Sequence, residues 1–489
     1  MPAQAMGDDR RLRVITALAG ALAGLSLAPL GLPPLLWLAL VPLWGATPAA
    51  AGLWGGAAVL VSHRWLLWLH PLDWIGVPGP LSLPICLGLW LACGLAGGGL
   101  VASWGWLVGR LDPRRLATAL LASGLWGLTE VLLAAGPLFW IGLGASPLPA
   151  DRALAGLAAV GGSGLVAAVQ LLIGWFCWRI LVAPTVSRRG WGLGLAALLL
   201  FSHGLGWSQL RADRVERGEA FRVLVLQPAL PTREKFEPER QRDLLVQIAR
   251  ARQQAAALGV PLLLPEGTLV LGQAMPEAEA EVLSGGFRLE GEELRSSVLR
   301  FEPGSSEASS WVDKARVVPL GEWVPLARFW RWGGLSAVGG VEPGPPARLL
   351  RRSGADPAVA ICYELANGEG LREATAAGAG WLMASANLDP YPDLLRDQFT
   401  ALAQLRAIEV GRWLVSTANT GPSLVIDAQG VVRAALPPGR AELGVFELER
   451  LKRATTYQIW REAPLILMIL LGGASWWFWF QRPRHGHSH

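Results

Sequence analysis

The chain has 489 residues, of which 52% are hydrophobic and 17% are charged, and its formal net charge is +5. Because globular chains usually carry about 25% charged residues, this composition excludes a disordered chain, a small disulfide scaffold and a nucleic-acid binder with a basic stripe. It favours a membrane protein that also carries a folded soluble part, since the charges are concentrated between residues 210 and 462.

Long apolar runs dominate the first 209 residues and return near the end of the chain. A bilayer core takes roughly 20 apolar residues per helix, so each run predicts one membrane-spanning helix. Eight spans are expected, at 14–30, 32–47, 50–69, 81–108, 116–134, 153–178, 191–209 and 463–480. They divide the chain into a membrane domain over 1–210 with about seven helices, a soluble domain over 211–462, and a last helix with a short cytoplasmic tail over 463–489.

Basic residues predict the orientation of these spans, because cytoplasmic loops carry an excess of lysine and arginine. Four arginine clusters fall on one side if the spans alternate, namely Arg10, Arg11 and Arg13; Arg110, Arg114 and Arg115; Arg179, Arg188 and Arg189; and Arg482 and Arg484. Both termini are therefore expected in the cytoplasm. Seven crossings then place residues 210–462 on the opposite, periplasmic face of the membrane.

Two kinds of residue stand out within the spans. Glu130 lies four residues after Trp126 in the fifth span, where a carboxylate is costly and usually faces the bundle interior or an aqueous cavity. It either bonds a neighbouring helix in a structural role or lines a route for a polar head group. Tryptophan is unusually frequent, with 25 copies, and those at span ends are interpreted as anchors at the membrane interface.

From Phe221 onward, short apolar runs alternate with helical stretches. Strands are predicted at Phe221–Gln227, Val260–Leu264, Ser297–Phe301, Ala358–Cys362, Trp381–Ala384, Leu414–Ala418, Ser423–Asp427 and Gly444–Leu448. Helices are predicted at Pro238–Leu258, Gly368–Ala377 and Leu394–Arg412. Strands that exchange with helices predict an α/β sandwich with an inner layer of sheet and outer helices.

Three residues at predicted strand ends carry chemistry. Glu266 follows a buried strand, although a glutamate in that position indicates by itself only a solvated loop. Lys314 is informative because the chain has 43 basic residues but only three lysines, at 235, 314 and 452, and a compact ammonium offers a geometry that a planar guanidinium does not. Cys362 ends another strand and is the only cysteine of the soluble part.

A nucleophilic thiol needs a base, since a free thiol is only slightly ionised near neutral pH. The usual base is histidine, but the six histidines lie at positions 63, 70, 203, 485, 487 and 489, outside the soluble part. This excludes papain-like chemistry and a histidine-rich zinc site there. A glutamate must then serve as the base, which leaves Lys314 to hold the developing oxyanion.

Glutamate, lysine and cysteine at strand ends are the signature of the nitrilase superfamily, and with eight spans the chain resembles the apolipoprotein N-acyltransferases over nearly its whole length. The matching segments are Pro-Glu-Gly at 265–267, Asp-Lys at 313–314, Val-Pro-Leu-Gly-Glu-Trp-Val-Pro at 318–325, Ile-Cys-Tyr-Glu at 361–364, Arg-Ala-Ile-Glu at 406–409, Arg412, and Ala-Asn-Thr-Gly at 418–421. The resemblance implies an α-β-β-α sandwich of the nitrilase-like (carbon-nitrogen hydrolase) type over 211–462.

The same resemblance implies the site residues. Glu266 is expected to be the general base, Lys314 the oxyanion stabiliser and Cys362 the nucleophile. Supporting roles are implied for Glu322, Tyr363 and Glu364.

Two segments depart from the family pattern. Residues 385–392 read Ser-Ala-Asn-Leu-Asp-Pro-Tyr-Pro where the family often has Asn-Asp-Ala-Trp-Phe, and Phe236 stands where a tryptophan is common. Both lie where substrates approach and not among the three chemical residues. They therefore bear on substrate preference more than on the chemistry.

The implied activity is a two-step acyl transfer in lipoprotein maturation, at the bacterial inner membrane. A phospholipid donates an acyl chain to Cys362 as a thioester, and the N-terminal amine of a diacylated apolipoprotein then accepts it. The reaction needs no metal and no soluble cofactor, and nucleic acid is not an expected partner.

Phe329, Trp330 and Trp332, interleaved with arginines, predict an interfacial loop that gates lipid entry. The alternative is a plain packed surface loop.

Two other functions stay open at the level of sequence. A membrane-tethered amidase of the nitrilase type would use the same three residues with water as the second acceptor. A catalytically silent lipoprotein-binding scaffold would keep the fold without the chemistry. The intact glutamate, lysine and cysteine argue against the scaffold, and the eight predicted spans argue against an amidase with a soluble substrate.

Overall fold

The computed structural model describes residues 2–75, 77–212, 218–235, 237–319, 322, 340–389 and 391–480. The predicted access residues Phe329, Trp330 and Trp332 lie outside the described residues, and so does Phe236. The helices are α1 (Pro2–Leu25), α2 (Pro33–Leu40), α3 (Pro48–Ser62), α4 (Gly79–Arg110), α5 (Leu116–Ala135), α6 (Arg152–Ala155), α7 (Ala158–Val182), α8 (Thr185–Ala212), α9 (Pro238–Leu258), α10 (Glu369–Ala376), α11 (Asp393–Val410), α12 (Thr456–Trp460) and α13 (Ala463–Phe480). The strands are β1 (Glu219–Gln227), β2 (Leu262–Leu269), β3 (Val282–Glu290), β4 (Glu293–Phe301), β5 (Ala308–Asp313), β6 (Pro357–Ile361), β7 (Trp381–Ala386), β8 (Leu414–Ala418), β9 (Leu424–Ile426), β10 (Val432–Ala435) and β11 (Glu442–Arg450).

Within the described residues, four helices are long and apolar enough to cross a membrane, namely α4, α5, α7 and α8. The helices α3 and α13 are apolar but shorter. Outward-facing side chains of the long helices are apolar and exposed, as in Leu95 of α4 and Leu200 of α8, each 77% exposed. Extended apolar surface of this kind marks contact with a membrane or a partner. The structure therefore supports the predicted membrane part.

Four of the predicted spans are not continuous α-helices. The span 14–30 is helical only as far as Leu25. The span 32–47 divides after Leu40, where Pro42 begins a 3-10 turn, because proline lacks the N–H that would continue the helix. The span 50–69 is an α-helix only as far as Ser62. The span 153–178 is interrupted at Gly161 and Gly162, whose backbone is not helical.

Tryptophans hold the helical bundle together from within. Trp44, Trp54, Trp104 and Trp175 are buried, and each indole N–H donates to a backbone carbonyl of another segment. The rings of Trp44 and Trp104 also meet edge to face, with centroids 5.1 Å apart. The interpretation as interfacial anchors is wrong for these four residues, because neighbouring helices satisfy both the apolar ring and its N–H.

Glu130 bonds the loop that follows its own helix, α5. Its carboxylate accepts hydrogen bonds from the indole N–H of Trp126 at 2.9 Å and from the backbone N–H groups of Leu143 and Gly144 at 2.9 and 3.3 Å. Three donors thus satisfy a carboxylate that hydrocarbon alone would not. Glu130 also lines an apolar cavity of about 320 Å³ between α1, α3, α4 and α5.

The soluble part is a sandwich of two sheets. One sheet has the strand order β11-β1-β2-β3-β4-β5 and the other β10-β9-β8-β7-β6. Their inner faces share an apolar core that includes Val225, Leu263, Val359 and Met383. Helix α9 covers the outer face of the first sheet, and α10 and α11 cover the outer face of the second. This α-β-β-α layering confirms the fold class predicted from the sequence.

All eight predicted strands and all three predicted helices of the soluble part are present, and α9 has the predicted bounds. The strands β3, β5 and β10 were not predicted. The strands β1, β2 and β3 run parallel to one another, and so do β6, β7 and β8. Parallel strands bring their carboxyl ends to one edge of a sheet, and Cys362 directly follows β6 there. Glu266, predicted to follow its strand, instead lies within β2, which continues to Leu269.

The second sheet's outer helices rest on α7 of the membrane part, in one continuous apolar core. Glu409 of α11 makes a polar contact with α7 at this boundary. Its Oε1 accepts a hydrogen bond from the backbone N–H of Ser163 at 2.9 Å, and it pairs with Arg406 at 3.0 Å. Burial raises the pKa of Glu409 to about 7, against the opposing attraction of Arg406. Ser163 directly follows the interruption in α7. The carboxylate of Glu409 therefore accepts a hydrogen bond from a backbone N–H at the break in the helix.

We expect Glu409→Ala to lower the free energy of unfolding at pH 8 by about 3–5 kcal/mol, because it leaves Arg406 buried without its carboxylate. Asp393→Ala is the matched control, since Asp393 forms an i,i+3 pair on the same helix but is 87% exposed. That variant should lose less than about 1 kcal/mol. Denaturant or thermal unfolding in one detergent compares the two. Equal losses would contradict the importance of the buried pair.

Candidate active site

Glu266 lies where β2 leaves its regular pairing with β3. The register is regular up to Leu264 and resumes at Leu269, so the residues between them form a bulge. A bulge re-aims the side chains that it carries. The opposite strand makes room for it with Gly285, because a Cβ at that position would lie 2.4 Å from the Cα of Glu266.

Cys362 follows β6 directly and begins a 3-10 helix that ends at Ala366. Its φ angle is +55°, a left-handed conformation that costs a non-glycine residue on the order of 1–3 kcal/mol and that clusters at functional sites. The half-buried thiol thus projects from a sharp turn between a strand and a helix. Contacts of the next two residues, Tyr363 and Glu364, hold this turn in place.

The ammonium of Lys314 joins two carboxylates. Its side chain is fully buried, and Nζ donates to Oε1 of Glu266 at 2.8 Å and to Oε1 of Glu322 at 2.6 Å. Burial by itself would lower the pKa of Lys314, but the carboxylates of Glu266 and Glu322 outweigh it and raise the pKa well above its ordinary value. Lys314 is therefore a fixed positive charge at the centre of the site.

The thiol of Cys362 lies within the field of this cluster. Burial raises its pKa well above the ordinary value, the carboxylate of Glu266 adds to the rise, and Lys314 opposes it. The thiol is therefore protonated at rest and needs a base when it reacts. Burial also raises the pKa of Glu322, which Lys314 opposes and Glu266 reinforces.

Glu364 ties the strand of the nucleophile to the segment that carries Lys314. Its carboxylate accepts hydrogen bonds from the backbone N–H groups of Ala315 and Ile361, at 2.7 and 2.9 Å. Arg348 donates to the same carboxylate, with Nη1 2.9 Å from Oε2. A buried ion pair with every oxygen engaged keeps the Cys362 turn and the Lys314 segment in register.

Tyr363 and Glu322 fix the far end of the same segment. The hydroxyl of Tyr363 donates to the carbonyl of Val317 at 2.8 Å, and Oε2 of Glu322 accepts from the backbone N–H of Val318 at 2.9 Å. The ring of Tyr363 lies 5.8 Å from Nζ of Lys314. All three residues for which the resemblance implied supporting roles thus contact the segment that carries Lys314, or Lys314 itself.

Three further residues of the site were not predicted, namely Arg348, Asn387 and Lys235. The backbone N–H of Asn387 donates to Oε2 of Glu266 at 3.2 Å, so this carboxylate is held at both oxygens. Asn387 could have been predicted from its place in the sequence, because it directly follows β7 just as Cys362 directly follows the neighbouring strand β6. The rarity of lysine could have pointed to Lys235, as it did to Lys314. No local signal points to Arg348, which reaches the site from a loop.

No family model matches the chain. Over 484 residues the chain is 48% identical to an apolipoprotein N-acyltransferase of Prochlorococcus marinus (strain MIT 9313), which covers 95% of this chain and 96% of that protein. A relative of the same name from Parasynechococcus marenigrum is 46% identical and covers 92% of this chain and 98% of its own. The chain belongs to the apolipoprotein N-acyltransferase family.

Membership in the apolipoprotein N-acyltransferase family makes this protein an acyltransferase and confirms the resemblance seen in its motifs. Among solved structures, an amidase of the nitrilase superfamily from Nesterenkonia is similar over 52% of this chain and 98% of its own, with 17% identity and a TM-score of 0.38. That likeness is too loose to add detail to the site. The geometry of the site therefore rests on the contacts described above.

We expect Glu364→Gln to lower the free energy of unfolding by about 2–4 kcal/mol. Every partner of this carboxylate is a donor, so an amide group would place its own N–H against an N–H and would weaken the pair with Arg348. Glu373→Gln on α10, whose side chain is 59% exposed, is the control and should change stability by less than about 0.5 kcal/mol. A stable Glu364→Gln variant with a native melting temperature would show that this carboxylate does not hold the turn.

Proposed function

We propose that the protein transfers a fatty acyl chain from a membrane phospholipid to the N-terminal α-amine of the lipid-modified cysteine of diacylated apolipoproteins. The observation that carries the proposal is the buried cluster of Glu266, Lys314 and Glu322 beside a strained Cys362, in a domain that packs on apolar helices. The names of the relatives supply the acceptor class. The phospholipid donor and the thioester intermediate are part of the proposal, supported by the thiol of Cys362 and by the apolar membrane part.

In the first half-reaction, Glu266 takes the proton of the Cys362 thiol while the sulfur attacks an ester carbonyl of the phospholipid. A thiol that is protonated at rest requires this base at the moment of attack. Lys314 donates to the oxyanion of the tetrahedral intermediate. The ester C–O bond then breaks, Glu266 returns the proton to the leaving alcohol, and a lysophospholipid departs while Cys362 keeps the acyl group as a thioester.

In the second half-reaction, the neutral amine of the lipoprotein attacks the thioester carbonyl. Glu266 takes a proton from the attacking nitrogen, and Lys314 again donates to the oxyanion. The C–S bond breaks, the proton passes from Glu266 to the thiolate, and the amide product leaves. Donor and acceptor thus use one site in turn, since the thiol is regenerated with its proton.

The membrane part supports a lipid substrate. Aromatic rings form a series from the site to the cavity between the helices. The series begins at Tyr391, which lies in electrostatic range of Cys362, and continues through Trp65 and His63 to Trp140. The centroids of successive rings are 5.8, 6.2 and 5.9 Å apart. Trp140 lines the apolar cavity of about 320 Å³. The cavity follows α3 from Trp54 to Ser62, about 12 Å at 1.5 Å per residue, and suits a segment of acyl chain.

The proposed location is the bacterial inner membrane, with the catalytic domain over 211–462 on the periplasmic face. The arginine clusters support this orientation by the excess of positive charge in cytoplasmic loops. The acceptor's lipid and the donor's acyl chains both lie in the bilayer, so a thiol close above the outer leaflet reaches both. The proposed division of the chain is the membrane domain over 1–210, this catalytic domain, and the helix and tail over 463–489.

We expect Cys362→Ala to abolish transfer while the protein still folds. Removing the half-buried sulfur should lower the free energy of unfolding by less than about 2 kcal/mol. The native protein, incubated with a phospholipid of defined chains, should gain one acyl mass on the peptide that contains Cys362. A diacylated lipopeptide with a free amine should then remove that mass and appear as the amide.

The same experiment separates the alternatives. Loss of the acyl group to water as free fatty acid, at equal rate with and without lipopeptide, would indicate a hydrolase. A native protein that never gains the mass would indicate a scaffold without chemistry. Amide formation by Cys362→Ala would contradict the nucleophile assignment.

We expect Lys314→Arg to fail nearly as badly as Lys314→Met, with single-turnover acylation of Cys362 slower by about 10²–10³. The fully buried Nζ already contacts two carboxylates, and a planar fork with five donors does not fit a space shaped for one nitrogen. Lys452→Arg, at an exposed lysine, is the control. A Lys314→Arg rate within a few-fold of native would show that positive charge alone suffices.

A further inference from the structure

A second lysine lies in the site, and the mechanism above does not use it. Lys235 follows β1 and is only 9% exposed. Its ammonium rests directly over Gly267, the residue after Glu266, since a Cβ on Gly267 would lie 2.6 Å from Nζ. Gly267 also has a φ angle of +62°, so both conformation and space require glycine there.

The charges around Lys235 are carboxylates. Glu266 and Asp389 face its ammonium and attract it, and within the described residues the ammonium donates no hydrogen bond. Asp389 is fixed by the backbone N–H of Thr232, 2.6 Å from Oδ2. Glu266 in turn faces Lys235, Lys314, the carboxylate of Glu322, the thiol of Cys362 and the hydroxyl of Tyr391.

A packing role does not account for this lysine. Burying an ammonium costs free energy unless it is paired and hydrogen-bonded, and here burial lowers the pKa of Lys235 to about 8 in spite of Glu266 and Asp389. The chain has only three lysines among its 43 basic residues, and two of them flank one carboxylate. An uncharged side chain of similar length would fill the same space without this cost.

Counting charges shows what Lys235 supplies. Three carboxylates, those of Glu266, Glu322 and Asp389, share two ammonium groups, those of Lys314 and Lys235. With Lys235 removed, Lys314 would be the one ammonium that faces Glu266 and Glu322, and one of the two positive charges that favour the charged form of Glu266 would be lost. A protonated Glu266 accepts no proton from a thiol.

We propose that Lys235 is a positioning residue for Glu266: its ammonium, seated over Gly267, is the second positive charge that keeps this carboxylate ionised and ready to take the thiol proton. Lys235 acts through Glu266 and not on the substrate. The inference rests on the role of Glu266 in the proposed function. It gives the segment between β1 and α9 a part in the chemistry.

The test is the rate at which iodoacetamide alkylates Cys362 in the full-length protein, measured against pH and resolved by peptide mass spectrometry. We expect Lys235→Met to raise the acid-side midpoint of this profile by about one pH unit, which makes alkylation about tenfold slower on the acid side, as for loss of a nearby opposite charge. The two profiles should converge above about pH 8, where native Lys235 loses its own charge. Lys452→Met is the matched control and should leave the profile unchanged.

Asp389→Asn gives a test of opposite sign. It removes a carboxylate that competes for Lys235 but keeps an oxygen for the N–H of Thr232, so the acid-side midpoint should fall. An unchanged midpoint in a folded Lys235→Met protein, or a shift in the same direction in both variants, would overturn the proposal. Alkylation needs no phospholipid, so it measures the effect of Lys235 on Cys362 independently of acyl transfer. A native protein that is never acylated by phospholipid would refute the proposed function, and the alkylation profiles would still test the role of Lys235.

Discussion

One buried ammonium, that of Lys314, organises the site. Two carboxylates from different parts of the chain accept hydrogen bonds from it, and a buried carboxylate left without this ammonium would be far more costly than a paired one. Lys314 follows the edge strand β5, Glu266 lies in the bulge of β2, and Glu322 lies beyond the segment that Glu364 and Tyr363 hold. The geometry around Cys362 therefore depends on a charge that must be present before the substrate arrives. Pre-organised charge of this kind is what stabilises an oxyanion without rearrangement.

The second requirement is that this site stays beside the bilayer. The sandwich meets the membrane part through the outer helices of one sheet, and the contact centres on the interruption of α7 at Gly161 and Gly162. Gly162 has a φ angle of +71°, and the ring of Tyr457 leaves no space for a side chain there. Glu409 then accepts a hydrogen bond from the backbone N–H of Ser163. A break in a membrane helix is tolerated where protein groups satisfy the freed backbone, and here the soluble part provides one through Glu409.

Local sequence predicted the elements whose pattern is local. Helix α9 and strand β1 have clear periodicity, and Lys314 and Cys362 stand at strand ends, whereas Glu266 lies in a bulge within β2. Strand β3 was missed because Gly285 reads as a loop residue, although it is glycine so that Glu266 can approach. Strand β10 was missed because its side chains are exposed on both faces. Lys235 and Arg348 were missed because their roles arise from loops that only the folded chain brings to the site.

The charge state of Lys314 is the central claim, and NMR of Nζ-labelled lysine measures it directly. With three lysines in the chain, the spectra of Lys235→Met and Lys452→Met assign the Lys314 signal by elimination. At about pH 10.4, where free lysine is half neutral, the account predicts that Lys314 is still an ammonium, because Glu266 and Glu322 hold its proton. A neutral amine at Lys314 at or below that pH would contradict the account.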